Sequence, residues 1–325
     1  MAIAPATPEA IRKAAQALAR GDIVAFPTET VYGLGANALD GSAVAKIFAA
    51  KERPRFNPLI VHVLGLAAAE AYAVVDGTAR TLAEAFWPGP LSLVLRKRPG
   101  CPIADLVTAG LDTIALRAPA HKVARALLAE SALPIAAPSA NRSGRISPTT
   151  AAHVEAELGD LPAMILDGGP CLLGLESTIV SLAGPTSTLL RSGALPREAI
   201  ETVLGQKLGA ATPEAPIASP GQLATHYAPN TPLRLGATTV KRSEALLAFG
   251  KTVPEGARAT INLSASGDLE EAAAKLFGAL RELDQAGASA IAVVPIPAHG
   301  LGEAINDRLR RAACSAAPRR ASDQS

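Results

Sequence analysis

Aromatic residues make up only 3% of the 325-residue chain. So few rings offer no aromatic platform on which nucleic-acid bases could stack, and the interior must be built from Ala, Leu, Val and Ile. Cysteine occurs three times, at Cys101, Cys171 and Cys314. The set is odd and scattered and holds no C-x-x-C, which argues against a disulfide framework and a thiolate metal site. The five histidines are dispersed, without H-E-x-x-H. Three familiar signatures are missing as well: the P-loop, the G-x-S-x-G elbow and the dinucleotide G-x-G-x-x-G. The net charge of +2 is too small to indicate a nucleic-acid protein. No apolar run reaches about 18 residues, and the N-terminal stretch has no basic segment followed by an apolar one. The expectation is a cytoplasmic protein that does not meet a membrane.

What remains is ample material for a core: 49% of residues are hydrophobic. Thr7–Pro8 reads as an N-cap followed by proline at the first helical position, with Ile11, Ala14, Ala15 and Leu18 at helical spacing and Gly21 at the end. Ser42 reads as the cap of a second helix, with Val44, Ile47 and Phe48 on one face and Lys51 in its last turn. The runs DIVAFPT, PLIVHVL, LSLVLR, TIALRAP, LPIAAPSA, AMILDGG and STIVSL read as strands. Helical stretches such as HKVARALLAES and TTAAHVEAELG lie between them, which argues for an α/β fold. Near Gly205 the composition turns to Pro, Gly and Ala, as in an extended linker. Strand and helix patterns then resume. The expected division is a first domain over residues 1–208, a linker or lid over 209–231, a small Rossmann-like α/β domain over 232–315 and a disordered tail over 316–325.

The strand ends carry the candidate chemistry, because ligands of open α/β sheets bind there. KERPRFNPLIVHV gathers Lys51, Arg53 and Arg55 directly before an apolar strand. These cations form either a solvated loop or a cradle for an anion, and Pro54 and Pro58 favour the second by fixing the loop. Asn57 adds an amide. His62 sits within the strand, where a hydrogen-bonded core histidine is the plainer reading. Arg117 closes TIALR and needs either a structural carboxylate or a ligand carboxylate. In APSANRSGRISPTT, small residues from Ala137 to Asn141 let backbone N–H groups approach a ligand. Arg142 and Arg145 add charge, and Ser147–Pro148 reads as a helix start suited to an anion. Ser177, Thr178 and Arg191 also stand at element ends.

Together, FPTETVYGLGANA, KERPRFNPLIVHV, FWPGPLSLVL, TIALRAPAH, PSANRSGRISPT, LDGGPCLLGLESTIVSL and LLRSGAL resemble the YrdC-like family, and the linker and extension resemble its long two-domain form. The resemblance covers about residues 7–310. It implies an α/β fold: a YrdC-like open twisted sheet domain joined by a Pro-rich linker to a small Rossmann-like domain. The activity it implies is formation of L-threonylcarbamoyl-AMP and pyrophosphate from L-threonine, bicarbonate and ATP. A downstream transferase complex then carries the threonylcarbamoyl group to an adenosine beside the tRNA anticodon. By this resemblance Lys51, Arg53, Asn57, Thr113, Ser139, Asn141, Ser147 and Arg191 hold ATP, and Tyr227 closes over it. Thr30, His62, Arg117, the Ala137 backbone and Ser177 hold threonine. Lys51 and Arg53 are the expected catalytic cations, exposed in the empty site. No metal is expected from protein ligands; Mg2+ arrives through the phosphates of ATP.

Two rival readings stand beside this one. The first is a non-catalytic module of the same fold that binds double-stranded RNA or tRNA, recognisable by steep salt dependence. The second is carbamoyl-adenylate formation, as in hydrogenase-maturation proteins with a YrdC-like domain. The zinc-finger cysteines and acylphosphatase-like segment of those proteins have no counterpart here.

Overall fold

The computed structural model describes residues 3–210 and 226–314. The middle of the expected linker and the expected tail lie outside the described residues. The first helix, Pro8–Ala19, forms as read: Thr7 Oγ1 accepts the Ala10 N–H at 3.2 Å, and Gly21 follows with φ +82°. Its buried face is nearly all alanine, which lets it pack closely on the Lys122–Ser131 helix. The Gly41–Lys51 helix also forms, but Asp40 rather than Ser42 caps it, accepting the Ser42 and Ala43 N–H groups.

The first sheet has eleven strands and mixed polarity. Their order in space is Ile3–Pro5, Met164–Asp167, Val24–Pro27, Tyr32–Asn37, Ile135–Ala136, Ile60–His62, Thr113–Arg117, Leu91–Arg96, Thr178–Ser181, Thr188–Arg191 and Gly209–Ala210. Gly209 and Ala210 therefore pair as the sheet's edge, where the linker was expected to begin. Tyr32–Asn37, absent from the strand reading, is the sheet's fourth strand. Its glycines disguise it: a Cβ at Gly35 would lie 2.7 Å from both the Phe26 ring and Ile135 Cγ2. A neighbour distant in sequence therefore demands the residue that weakens the local strand signal.

The second sheet is fully parallel, in the order Leu233–Leu235, Ile291–Val293, Ala245–Ala248, Ala259–Asn262. Helices Leu269–Asp284 and Leu301–Cys314 accompany it, which matches the expected Rossmann-like unit. One apolar cluster spans both units, joining Val31, Ile146 and Leu175 to Phe277, Leu280 and Ile305. Among the described residues, no helix is long and apolar enough to cross a membrane.

Strands Ile60–His62 and Thr113–Arg117 run parallel, with His62 opposite Arg117 at their C-terminal ends. Both side chains consequently point to one face of the sheet. The bridge between Gly33 and Ser139 brings the 137–141 segment over the same place.

Candidate active site

A cavity of about 50 Å3 opens at these strand ends. Nine of the residues expected in the site line it: Thr30, Arg53, His62, Arg117, Ala137, Ser139, Ser177, Arg191 and Tyr227. Four more stand directly behind the wall. Lys51 Nζ donates to the carbonyls of Ser139, at 2.6 Å, and Asn141. The Asn57 carbonyl accepts Arg53 Nε, and Ser147 Oγ donates to Glu176 at 2.5 Å. Thr113 is not among the lining residues. It shares the face of Arg117 but lies four residues back, about 13 Å along the strand.

The cation cluster divides. Arg55 is exposed, but Lys51 and Arg53 are buried, at 1% and 9% exposure, contrary to the expectation that both would be exposed. The cause is local. Glu52 takes the left-handed conformation (φ 53°) that ends the Gly41–Lys51 helix, so Lys51 turns inward. Arg53 folds back over its own loop, donating to the carbonyls of Asn57 (3.2 Å) and Pro58 (3.0 Å). Arg191 is held in the same manner: its Nε and Nη2 donate to the Ser177 carbonyl at 3.0 and 2.7 Å, and Nη2 also reaches Ser177 Oγ. Among the described residues, Lys51, Arg53 and Arg191 have oxygen acceptors but form no ion pair. Burial pushes the Lys51 amine well below its ordinary range, and Arg53 adds to this. Burial also lowers Arg53 and Arg191 to about 10 each, which leaves both guanidinium groups charged at neutral pH.

Arg117 has a carboxylate partner. Its Nη2 donates to Glu29 Oε1 at 2.5 Å, Nη1 to Thr30 Oγ1 at 3.0 Å and Nε to the Gly89 carbonyl. Glu29 also accepts the backbone N–H groups of Ala120 and His121. Burial opposes the charged form of Glu29, but the Arg117 charge and these hydrogen bonds outweigh it, so its pKa lies below the usual value. Of the two partners open to Arg117, the structure supplies the structural carboxylate. His62 packs edge-on against Phe26, and burial, then the charge of Arg117, lowers it to about 3, so it is neutral at physiological pH.

Ser147 does not open a helix. Thr150 caps the helix that follows, Ala151–Leu158, accepting the His153 N–H. Freed from that role, Ser147 binds Glu176, a pocket residue that sequence reasoning missed although it stands next to Ser177. Glu176 Oε2 accepts Arg308 Nε at 2.9 Å. Burial disfavours the Glu176 carboxylate, but Arg308, Arg191 and Ser147 hold its pKa at about 2. His226 and Tyr227 close the cavity, and Tyr227 stacks on Phe277 at 5.6 Å. Two buried amide oxygens, Asn57 Oδ1 and Asn141 Oδ1, have no hydrogen-bond partner among the described residues.

Comparisons with known proteins agree with this architecture. A family model described as "Telomere recombination" matches residues 16–193, and one described as "Threonylcarbamoyl-AMP synthase, C-terminal domain" matches residues 195–314. The chain is 42% identical to a threonylcarbamoyl-AMP synthase of Bacillus subtilis (strain 168), over 93% of this chain and 92% of the relative. It is also 42% identical to the enzyme of that name from Pyrococcus abyssi (strain GE5 / Orsay), over 93% of each. A crystal structure of P. abyssi Sua5 complexed with L-threonine superposes with a TM-score of 0.87, at 38% identity over 95% of both chains. The chain belongs to the threonylcarbamoyl-AMP synthase family.

Proposed function

We propose that this protein joins L-threonine, bicarbonate and ATP into L-threonylcarbamoyl-AMP, releasing pyrophosphate. One observation carries the reading: the pocket holds buried arginines without carboxylate partners among the described residues, next to an arginine that is already paired. Unpaired buried cations suit a polyphosphate. The neutral Arg117–Glu29 end suits an amino-acid zwitterion. Family membership favours this reading over a non-catalytic RNA-binding role.

The roles are those the resemblance implies, and the shared cavity supports them. Thr30, His62, Arg117, the Ala137 backbone and Ser177 hold threonine, with the guanidinium of Arg117 facing its carboxylate. Lys51, Arg53, Ser139, Ser147 and Arg191 hold the phosphates. Asn57 and Asn141 offer their unpaired oxygens to donors on the ribose or base, and Thr113 meets the far end of the nucleotide along the strand face. A pocket depleted of water disfavours the ammonium form of threonine. Threonine gives its ammonium proton to bulk water, and the amine nitrogen then bonds the bicarbonate carbon while the departing hydroxide takes the N–H proton and leaves as water. A carbamate oxygen displaces pyrophosphate from the α-phosphorus, and Arg53 and Arg191 stabilise the charge that departs. Enclosure makes the second step effectively intramolecular and shields the carbamate from hydrolysis. No protein nucleophile is required.

Mg2+ belongs to the substrate in this scheme. Among the described residues no cluster of His, Cys, Asp and Glu could cage a metal ion, and both oxygens of the pocket's Glu176 are engaged. By the resemblance, the ion would enter on the phosphates of ATP. His226 and Tyr227 line the cavity, and in this scheme they move to admit substrates. They belong to the linker or lid that follows the edge strand Gly209–Ala210 and leads to the second unit. The product leaves for a transferase that modifies tRNA. The test is pyrophosphate release with MgATP, bicarbonate and each amino acid in turn. Release with L-threonine alone supports the reading; release indifferent to the amino acid refutes it.

A further inference from the structure

We infer that Arg308, on the last helix of the second unit, is a positioning residue of the pocket: it fixes Glu176 and Tyr227, so the C-terminal unit completes the nucleotide end of the site. The inference deepens the function proposed above and rests on it.

Arg308 is fully buried and 132 residues from Glu176 in sequence. Its Nε donates to Glu176 Oε2 at 2.9 Å, and its Nη1 donates to Asp307 at 2.7 Å. The guanidinium carbon lies 4.9 Å from the centre of the Tyr227 ring, and Nη2 has no hydrogen-bond partner among the described residues. Both pocket residues that Arg308 touches thus take their places from a helix outside the first sheet. Glu176 in turn accepts Ser147 Oγ at 2.5 Å, so the chain Arg308–Glu176–Ser147 crosses from the second unit into the wall where ATP is proposed to bind.

A second observation points the same way without involving charge. Gly174, two residues before Glu176, has φ +68°, and a Cβ there would lie 2.5 Å from the Ala273 carbonyl oxygen and 2.6 Å from Ala274 Cα. The loop that presents Glu176 and Ser177 is therefore pressed against the Leu269–Asp284 helix. Replacing a buried ion pair by apolar groups often leaves a protein equally stable, so a buried pair across two units is better understood through the geometry it imposes.

The test uses the full chain and measures pyrophosphate release against ATP and, separately, against L-threonine. Arg308→Met removes the charge; Arg308→Lys keeps it and guards against misfolding, which thermal melts check. The expected result for Arg308→Met is a KM for ATP raised about tenfold or more, with the KM for threonine within about threefold. The double variant Arg308→Met/Glu176→Gln is expected to cost no more than Glu176→Gln alone, because the two residues act as one unit. Folded Arg308→Met and Arg308→Lys chains with wild-type ATP dependence would overturn the inference, as would equal rises in both KM values. If the wild-type chain releases no pyrophosphate, the function proposed above fails instead. Amide hydrogen exchange over residues 172–178 then decides positioning: faster exchange in Arg308→Met supports it, and unchanged exchange overturns it.

Discussion

The two ends of the pocket treat buried charge in opposite ways. At one end Arg117 is matched by Glu29, His62 is neutral, and the hydroxyl groups of Thr28 and Thr30 bond each other at 2.8 Å. At the other end Arg53 and Arg191 are held by carbonyl oxygens, and the carboxylate that lines the cavity, Glu176, is committed to Arg308 and Ser147. A matched end accepts a ligand with no net charge, because any excess would be left uncompensated in a low dielectric. The unmatched end stores a demand for negative charge that a polyanion satisfies. The difference between the two groups of residues suits the pair of ligands proposed above, which neither group does alone.

Removing a cation from the unmatched end breaks this contrast most strongly. Arg53→Met is expected to lower kcat/KM for ATP about 100-fold or more, while the melting temperature barely changes, because an uncompensated buried charge leaves with it. Steady-state kinetics with thermal melts check both halves. A variant that unfolds would show that Arg53 is structural. The matched end should respond in the reverse sense. Glu29→Gln leaves Arg117 buried and unpaired and should cost about 3–5 kcal/mol of stability, readable by urea denaturation. An unchanged midpoint would show that the pair is not what holds Arg117.

A pH series sharpens the comparison. His62 and His226 are lowered to about 3 by burial, against 6.5 when unfolded. Between those values the unfolded chain binds protons that the folded chain refuses, so stability falls as pH drops through this window. Each group contributes a slope of about 1.4 kcal/mol per pH unit where it is charged only in the unfolded state. Urea melts from pH 6 down to pH 5 (roughly the span in which the unfolded histidines charge) should show a shallower slope for His226→Asn than for wild type. Identical slopes would place His226 in contact with solvent. The smallest effect is expected for Thr30→Val, which removes one hydrogen bond from Arg117 and should raise the KM for threonine a few-fold, worth about 1 kcal/mol. No change in that KM would detach Thr30 from the threonine end.

Much of this was legible in the sequence where the cause is local. The Thr7–Pro8 start, the Gly21 stop and the placing of Lys51 in a last helical turn depend on neighbours within a few residues. The signature segments brought nine expected residues to one cavity. What escaped depends on contacts across the chain. Tyr32–Asn37 reads poorly as a strand because Gly35 answers to Phe26 and Ile135. Ala245–Ala248 is hard to read as a strand because ALLA has little β character, and it is buried throughout between parallel neighbours. Ser147 read as a helix start because its true partner, Glu176, lies 29 residues on. The burial of Arg53 could not be read from KERPR, since a charge run is ordinarily solvated.

The most direct test of the account is the product itself. Full-length protein is incubated with MgATP, L-threonine and isotope-labelled bicarbonate, and the mixture is examined by mass spectrometry. The account predicts an adenylate that contains threonine and the labelled carbon and that disappears when any one of the three substrates is withheld. An adenylate of unlabelled threonine, or ATP cleavage without any adenylate, would contradict it.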